Sequence, residues 1–148
     1  MKKPTQKKVS PEVLKQLEKI FQAEMAGIVR YLHYSFMVMG HSRIPIQQWF
    51  RTQASEAMAH TVLVGEKLTS LGGHPPVVHA TVEETNLHGV DTLLEESLRF
   101  EQDALALYKR LASLAARSGD VALEEMARQF VRDETEHVDE IVKMLRTQ

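Results

Sequence analysis

From Leu123 to Ile141 the chain reads LEEMARQFVRDETEHVDEI. Leu123, Ala127, Phe130, Glu134, His137 and Ile141 recur at steps of three and four, so they share one face of a helix. Leu145 extends the same stripe. A carboxylate and an imidazole therefore stand in the middle of a row that is otherwise apolar. Ser118-Gly119-Asp120 precedes the stretch as a tight turn, with Asp120 as the cap.

Three further helices are expected upstream. Helix C runs from about Gly89 to Arg117 and presents Leu94, Leu98, Glu101, Leu105, Tyr108 and Ala112 or Ala115. Helix A starts at Ser10-Pro11-Glu12, a side-chain cap followed by proline and an acid in the first turn. Its face is Leu17, Phe21, Glu24, Ile28, Tyr31 and Ser35, and it stops near Gly40. Helix B opens at Pro45, shows Ile46, Phe50, Gln53, Glu56/Ala57, His60, Val64, Leu68 and Leu71, and ends at Gly72-Gly73. Pro75-Pro76 follow, and no period survives until about His88.

The reading is an all-α, four-helix bundle. Short A–B and C–D links make two antiparallel hairpins. A helix of this length spans roughly 40 Å, and the B–C segment of about fifteen residues reaches at most roughly 50 Å. It can cross the whole bundle, a task that explains a long structureless loop in a small domain.

The two hairpins repeat with an offset of 77 residues. Glu24 maps to Glu101, Tyr31 to Tyr108, His60 to His137, and Val64 to Ile141. Acid and histidine are 36 apart in each half, and acid and tyrosine 7 apart, almost two turns. Coincidence is a poor explanation for matched polar residues on core-facing stripes. A buried carboxylate is costly unless it is paired or bound to metal. No lysine or arginine lies on these stripes to neutralise it. Taken alone, a Glu-x-x-His pair is usually a solvated surface pair, and a core tyrosine is usually packing. Taken together at matched offsets, they point to carboxylate and imidazole ligands for first-row metals such as Fe, Mn or Zn. His33, His41, His74, His79 and His88 fall off the stripes or in loops and are assigned no role.

Composition agrees with one soluble domain: 148 residues, 43% hydrophobic, 26% charged, net charge −2. That balance gives no reason to expect nucleic acid or an anionic membrane as partner. Residues 1–9 are expected to form a flexible basic tail ahead of a single domain over 10–148, with no signal peptide or membrane anchor. Cysteine is absent, which removes disulfides, thiolate metal sites and cysteine nucleophiles. The cytoplasm is the expected address, and any redox chemistry must come from a bound metal or cofactor. A zinc hydrolase, with three ligands on one ion and one open position, suits six donors in two sets less well.

Glu24 with Tyr31, His60, Glu101 and the run Asp133-Glu134-Thr135-Glu136-His137 together resemble bacterioferritin and its ferritin-like relatives, over essentially the whole chain. The resemblance implies a ferritin-like bundle with one long crossover and a di-iron centre oxidising Fe(II) with O2 or peroxide, for iron storage, detoxification and homeostasis. It implies that Glu24 and His60 ligate one iron, Glu101 and His137 the other, and that Glu134 bridges both. Tyr31 and Tyr108 would donate hydrogen bonds that orient carboxylates.

The chain departs from the family pattern at position 57 and at its C-terminus. The repeat and the family both call for a second bridging glutamate at position 57, where the chain has Ala57. Glu56, one residue earlier, is the candidate sixth ligand, either by leaning in or through a π-bulge. Its repeat partner is Asp133. Two Fe(II) bring +4, which Glu24, Glu56, Glu101 and Glu134 would balance. Met58 occupies the place of bacterioferritin's haem-ligating methionine, at a two-fold subunit interface; its other reading is packing. Only eleven residues follow His137, so the short fifth helix that closes large ferritin cages is expected to be missing. A homo-oligomer, at least a dimer, is expected, with Phe36, Met37 and Trp49 as interface candidates. The alternative to a ferroxidase is a non-catalytic metal- or haem-binding dimer.

Overall fold

A computed structural model describes residues 9–146. The basic tail expected over residues 1–9 lies, except for Val9, outside the described residues. Four helices account for most of the rest: α1 Pro11–Met37, α2 Arg43–Ser70, α3 Val90–Ser118 and α4 Val121–Leu145. No further helix follows α4 among the described residues.

The ends of the helices follow from local chemistry. Ser10 Oγ accepts from the Glu12 N–H at 3.3 Å, with Pro11 as the first helical residue. Asp120 caps α4 by accepting from the Leu123 N–H at 3.0 Å. The two-residue turn before it needs Gly119 at φ +71°, a left-handed conformation that glycine adopts without a Cβ penalty. Helix α2 begins at Arg43, two residues before the expected Pro45. The proline still sits within the first turn, where its missing N–H has no intrahelical partner to lose.

Cross-helix contacts fix the topology. Glu24 meets Tyr108 while Tyr31 meets Glu101, so α1 and α3 run antiparallel. His60 meets Asp133 while Glu56 meets His137, so α2 and α4 do the same. With α1 antiparallel to α2, helices α2 and α3 must be parallel. The connection over residues 71–89 therefore travels the length of the bundle, held to α1 where the Ala80 N–H donates to the Gln22 carbonyl at 3.0 Å.

Two apolar clusters fill the interior. One joins Leu17, Ile20, Val64, Leu68, Leu111, Leu123 and Phe130, and includes Tyr108. The other joins Phe50, Leu93, Leu94 and Ile141, and includes Tyr31. Buried glutamates stand between them: Glu24 is 4% exposed, Glu101 3% and Glu134 2%. These three carboxylates thus form a polar layer between the two apolar clusters. Trp49 packs on Tyr31 and Phe50 instead of lying free for an interface. The exposed apolar residues of the outer α1–α2 face are Val29, Leu32, Phe36, Met58, Val62 and Leu63. No helix among the described residues is long and apolar enough to cross a membrane.

Candidate metal centre

The heptad spacing of Glu24 and Tyr31, repeated in Glu101 and Tyr108, places each hydroxyl about two turns from the carboxylate on its own helix. Antiparallel packing then swaps the partners. Tyr108 donates to Glu24 Oε1, and Tyr31 donates to Glu101 Oε1. Burial, followed by the adjacent carboxylate charge, raises both phenols well above their ordinary pKa, so they stay protonated donors.

The histidines turn their Nδ1 atoms inward. His60 Nδ1 lies 3.2 Å from Glu24 Oε1 and 3.4 Å from Glu134 Oε1. His137 Nδ1 lies 3.6 Å from Glu101 Oε2 and 3.6 Å from Glu134 Oε2. The two oxygens of Glu134 thus face different histidines. Two triads of ligand atoms result, Glu24–His60–Glu134 and Glu101–Glu134–His137, each with its atoms within 4.8 Å of one another. Glu134 belongs to both.

The outer nitrogens have acidic partners from the opposite half. His60 Nε2 lies 3.4 Å from Asp133 Oδ2, and His137 Nε2 lies 2.5 Å from Glu56 Oε2. Glu56 enters neither triad; its carboxylate stands on the outside of the His137 ring. The reason is rotational: positions 56 and 57 straddle the inward direction by about 100°, and it is Ala57 that turns to the interior, 6% exposed. Asp133 was visible in the sequence as the repeat partner of Glu56, and this shared placement outside the imidazoles is what the pairing encodes.

Proton affinities follow from the crowding of acids and bases. Burial alone would depress the His60 imidazole, but hydrogen bonds to Glu134 and Glu24 outweigh it and push it up to about 10. His137, opposed by burial in the same way, is carried to about 11 by Glu101 and Glu134. Burial and the neighbouring Glu134 raise Glu101 to about 7, against the pull of His137. Glu134, though burial opposes it, is held below the ordinary carboxylate range by Glu101, His137 and His60.

A cavity of about 430 Å³ opens between α2 and α4 onto this layer, lined by Gln53, Glu56, His60, Asp133, Glu136, His137 and Glu140 among others. Its acidic rim favours cations. Inside, Glu134 Oε2 and His137 Nδ1 are buried without a hydrogen-bond partner. Orphaned buried polar atoms are costly, and these two lie within one triad. Three carboxylates and two imidazoles fit a pair of divalent first-row cations. Met58 is 58% exposed on the outer face, away from this layer.

Comparison with known proteins bears on the family and the fold. The family model described as the ferritin-like domain matches residues 14–148. A bacterioferritin of Brucella melitensis is 26% identical over 135 residues, covering 89% of this chain and 81% of the relative. A nutrient stress-induced DNA-binding protein of a Synechococcus species is 26% identical over 123 residues, covering 77% of this chain and 69% of the relative. Among solved structures, a ferritin-like, diiron-carboxylate protein from Bacillus anthracis superposes with a TM-score of 0.88 at 24% identity, covering 93% of this chain and 100% of the other.

Proposed function

The chain belongs to the family of the ferritin-like domain, and from that premise we propose that it is a ferroxidase-type oxidoreductase of the cytoplasm, serving iron storage and detoxification. The observation that carries this reading is Glu134, whose two oxygens divide between His60 and His137.

Fe(II) enters between α2 and α4, drawn by Glu56, Asp133, Glu136 and Glu140 at the mouth. Glu24 and His60 would hold one ion, Glu101 and His137 the other, with Glu134 common to both sets. When bound, two Fe(II) would each give up one electron and become Fe(III), and with two protons from solvent these electrons reduce O2 to hydrogen peroxide, or peroxide to two waters. Loading requires each imidazole to give up its proton, which leaves to solvent through the mouth. Glu56 and Asp133 hold the imidazole rings from outside, and Tyr31 and Tyr108 fix the carboxylates, so the donors need little rearrangement. Glu56 is therefore proposed as the residue that orients His137. Without it, three carboxylates against two Fe(II) leave +1, a charge that attracts a small anion to the layer. Mn(II) or Zn(II) can occupy the same donors.

Rapid mixing of the Fe(II)-loaded, oxygen-free protein with O2 or peroxide tests the reading. Ferric absorbance should rise faster than in buffer for the first two equivalents per chain. Oxidation no faster than buffer removes the ferroxidase and leaves the second reading, a non-catalytic metal or haem binder. Ala57 and the outward-facing Met58 favour that alternative. Met58 offers one thioether on an open apolar face, so haem would need a second copy of the chain against it; a Soret band decides. Val29, Leu32, Phe36 and Val62 are the surface through which a homo-oligomer, at least a dimer, would form. Light scattering on the eluted protein gives its size, and a mass of two chains would favour a redox enzyme over a storage shell.

A further inference from the structure

A second set of ligand-type side chains lies outside the core, where the crossover meets α1. Glu84 sits between two imidazoles. Its Oε2 contacts His33 Nε2 on α1, and its Oε1 lies 3.2 Å from His88 Nε2, just ahead of α3. The two rings are 6.0 Å apart at 70°. One ligand atom from each of the three residues falls within 4.8 Å of the others, the same closeness that defines each buried triad.

We propose that His33, Glu84 and His88 form a surface site for a divalent first-row cation of the Zn(II) or Fe(II) class, separate from the buried pair. Two imidazoles and one carboxylate on one side of an ion leave its other positions for water, the donor set and openness suited to such metals. The side chains of His33 and Glu84 are 40% and 37% exposed, so the ion would exchange directly with solvent.

The donors are already placed. The Asn86 N–H donates to Glu84 Oε1 at 2.6 Å, and the neighbouring Thr85 hydroxyl donates to Glu96 on α3 at 2.7 Å. Asn86 itself, at φ +57°, bends the chain between Glu84 and His88 so that both face His33 without a helix between them. A cation would thus find its ligands without first ordering a loop, which lowers the entropic cost of binding. Its effect on the fold would be a clasp between crossover and α1, stabilising the native chain by mass action.

Zn(II) titration of the full chain by calorimetry tests the site. Wild type should bind one equivalent more per chain than His88→Ala or Glu84→Gln, with the remaining equivalents unaffected. Loss of a ligand should weaken that equivalent by more than the roughly 10- to 100-fold seen for losing a ligand's hydrogen-bond partner. His33→Gln repeats the test from α1 without touching the crossover, and metal-free melting curves establish that each variant folds. Thermolysin supplies a second readout, since Val77, Val78 and Leu87 of the crossover are exposed. Zn(II) should slow cleavage there in wild type and leave it unchanged in His88→Ala. If all three variants bind Zn(II) with the stoichiometry and affinity of wild type, the proposal is overturned, and the contacts are a metal-free clasp.

Discussion

In the α3–α4 hairpin, position 134 is a glutamate that reaches both histidines; its counterpart in α1–α2 is Ala57. Every other member of the layer is matched: Glu24 with Glu101, Tyr31 with Tyr108, His60 with His137, Glu56 with Asp133. The surroundings of the odd position differ too. Gly27 and Ala23 in the first half answer to Ala104 and Phe100 in the second. A Cβ on Gly27 would come within 2.9 Å of the Phe100 ring and 3.5 Å of the Ala57 Cβ. One half therefore places a shared carboxylate where the other places close apolar packing. The lesson is that one carboxylate with an oxygen for each imidazole can join two ligand sets, whereas a second is replaceable by carbon at the cost of one negative charge.

The harshest way to break this asymmetry is Glu134→Ala, which removes the one side chain common to both triads. Metal loading measured by calorimetry should weaken by well over a hundredfold, since even losing an outer hydrogen-bond partner costs about 10- to 100-fold. Retention of two tightly held ions would show that Glu134 is not shared.

Proton linkage acts on both halves at once. With His60 raised to about 10 and His137 to about 11, two ions displace two protons, so the two-ion constant should rise about a hundredfold per pH unit between about pH 8 and 9. Below about pH 7, where Glu101 is protonated as well, a third proton steepens the dependence. The metal-free protein should show the opposite trend. Its raised imidazoles bind protons more tightly folded than unfolded, so their stabilisation is complete below about pH 6.5 and is lost as pH rises through about 10 and 11. Melting curves with and without Zn(II) should therefore diverge as pH rises; a metal-induced shift independent of pH contradicts the linkage.

Ala57→Glu restores the symmetry. It should tighten metal binding on the order of tenfold, and destabilise the metal-free protein by about 1–3 kcal/mol, because it adds a buried carboxylate beside the Phe100 ring. Tyr31→Phe and Tyr108→Phe should each weaken one ion by about tenfold, the first acting on the Glu101–His137 side and the second on the Glu24–His60 side. Isothermal titration resolves the two steps. The crossed pairing fails if each substitution disturbs the ion ligated by its own helix.

The helices and their inward faces were legible because a 3.6-residue period cannot be satisfied by chance over four stripes. Four of the five donors of the triads were legible because a 77-residue repeat carried them twice; Glu134, whose counterpart is Ala57, showed instead as the Glu-x-x-His neighbour of His137 on a core-facing stripe. What the spacing could not disclose was partner choice. A glutamate and a tyrosine seven residues apart lie about 10 Å apart along the axis, too far to touch, so each hydroxyl serves the neighbouring helix. Glu56 stayed ambiguous for a similar reason, since positions 56 and 57 lie about 100° apart with His60 between them, and packing around Ala57 and Gly27 decides which turns inward. The His33–Glu84–His88 set left no trace at all, because two of its members sit in a segment with no period and meet the third only through the crossover's path.

Anomalous diffraction at the iron edge, from crystals of the chain soaked in Fe(II) without oxygen, tests the central claim most directly. Two peaks should appear within the polar layer, roughly 3.5–4 Å apart, one between Glu24, His60 and Glu134 and the other between Glu101, Glu134 and His137. A single peak, or iron held away from Glu134, would contradict the account.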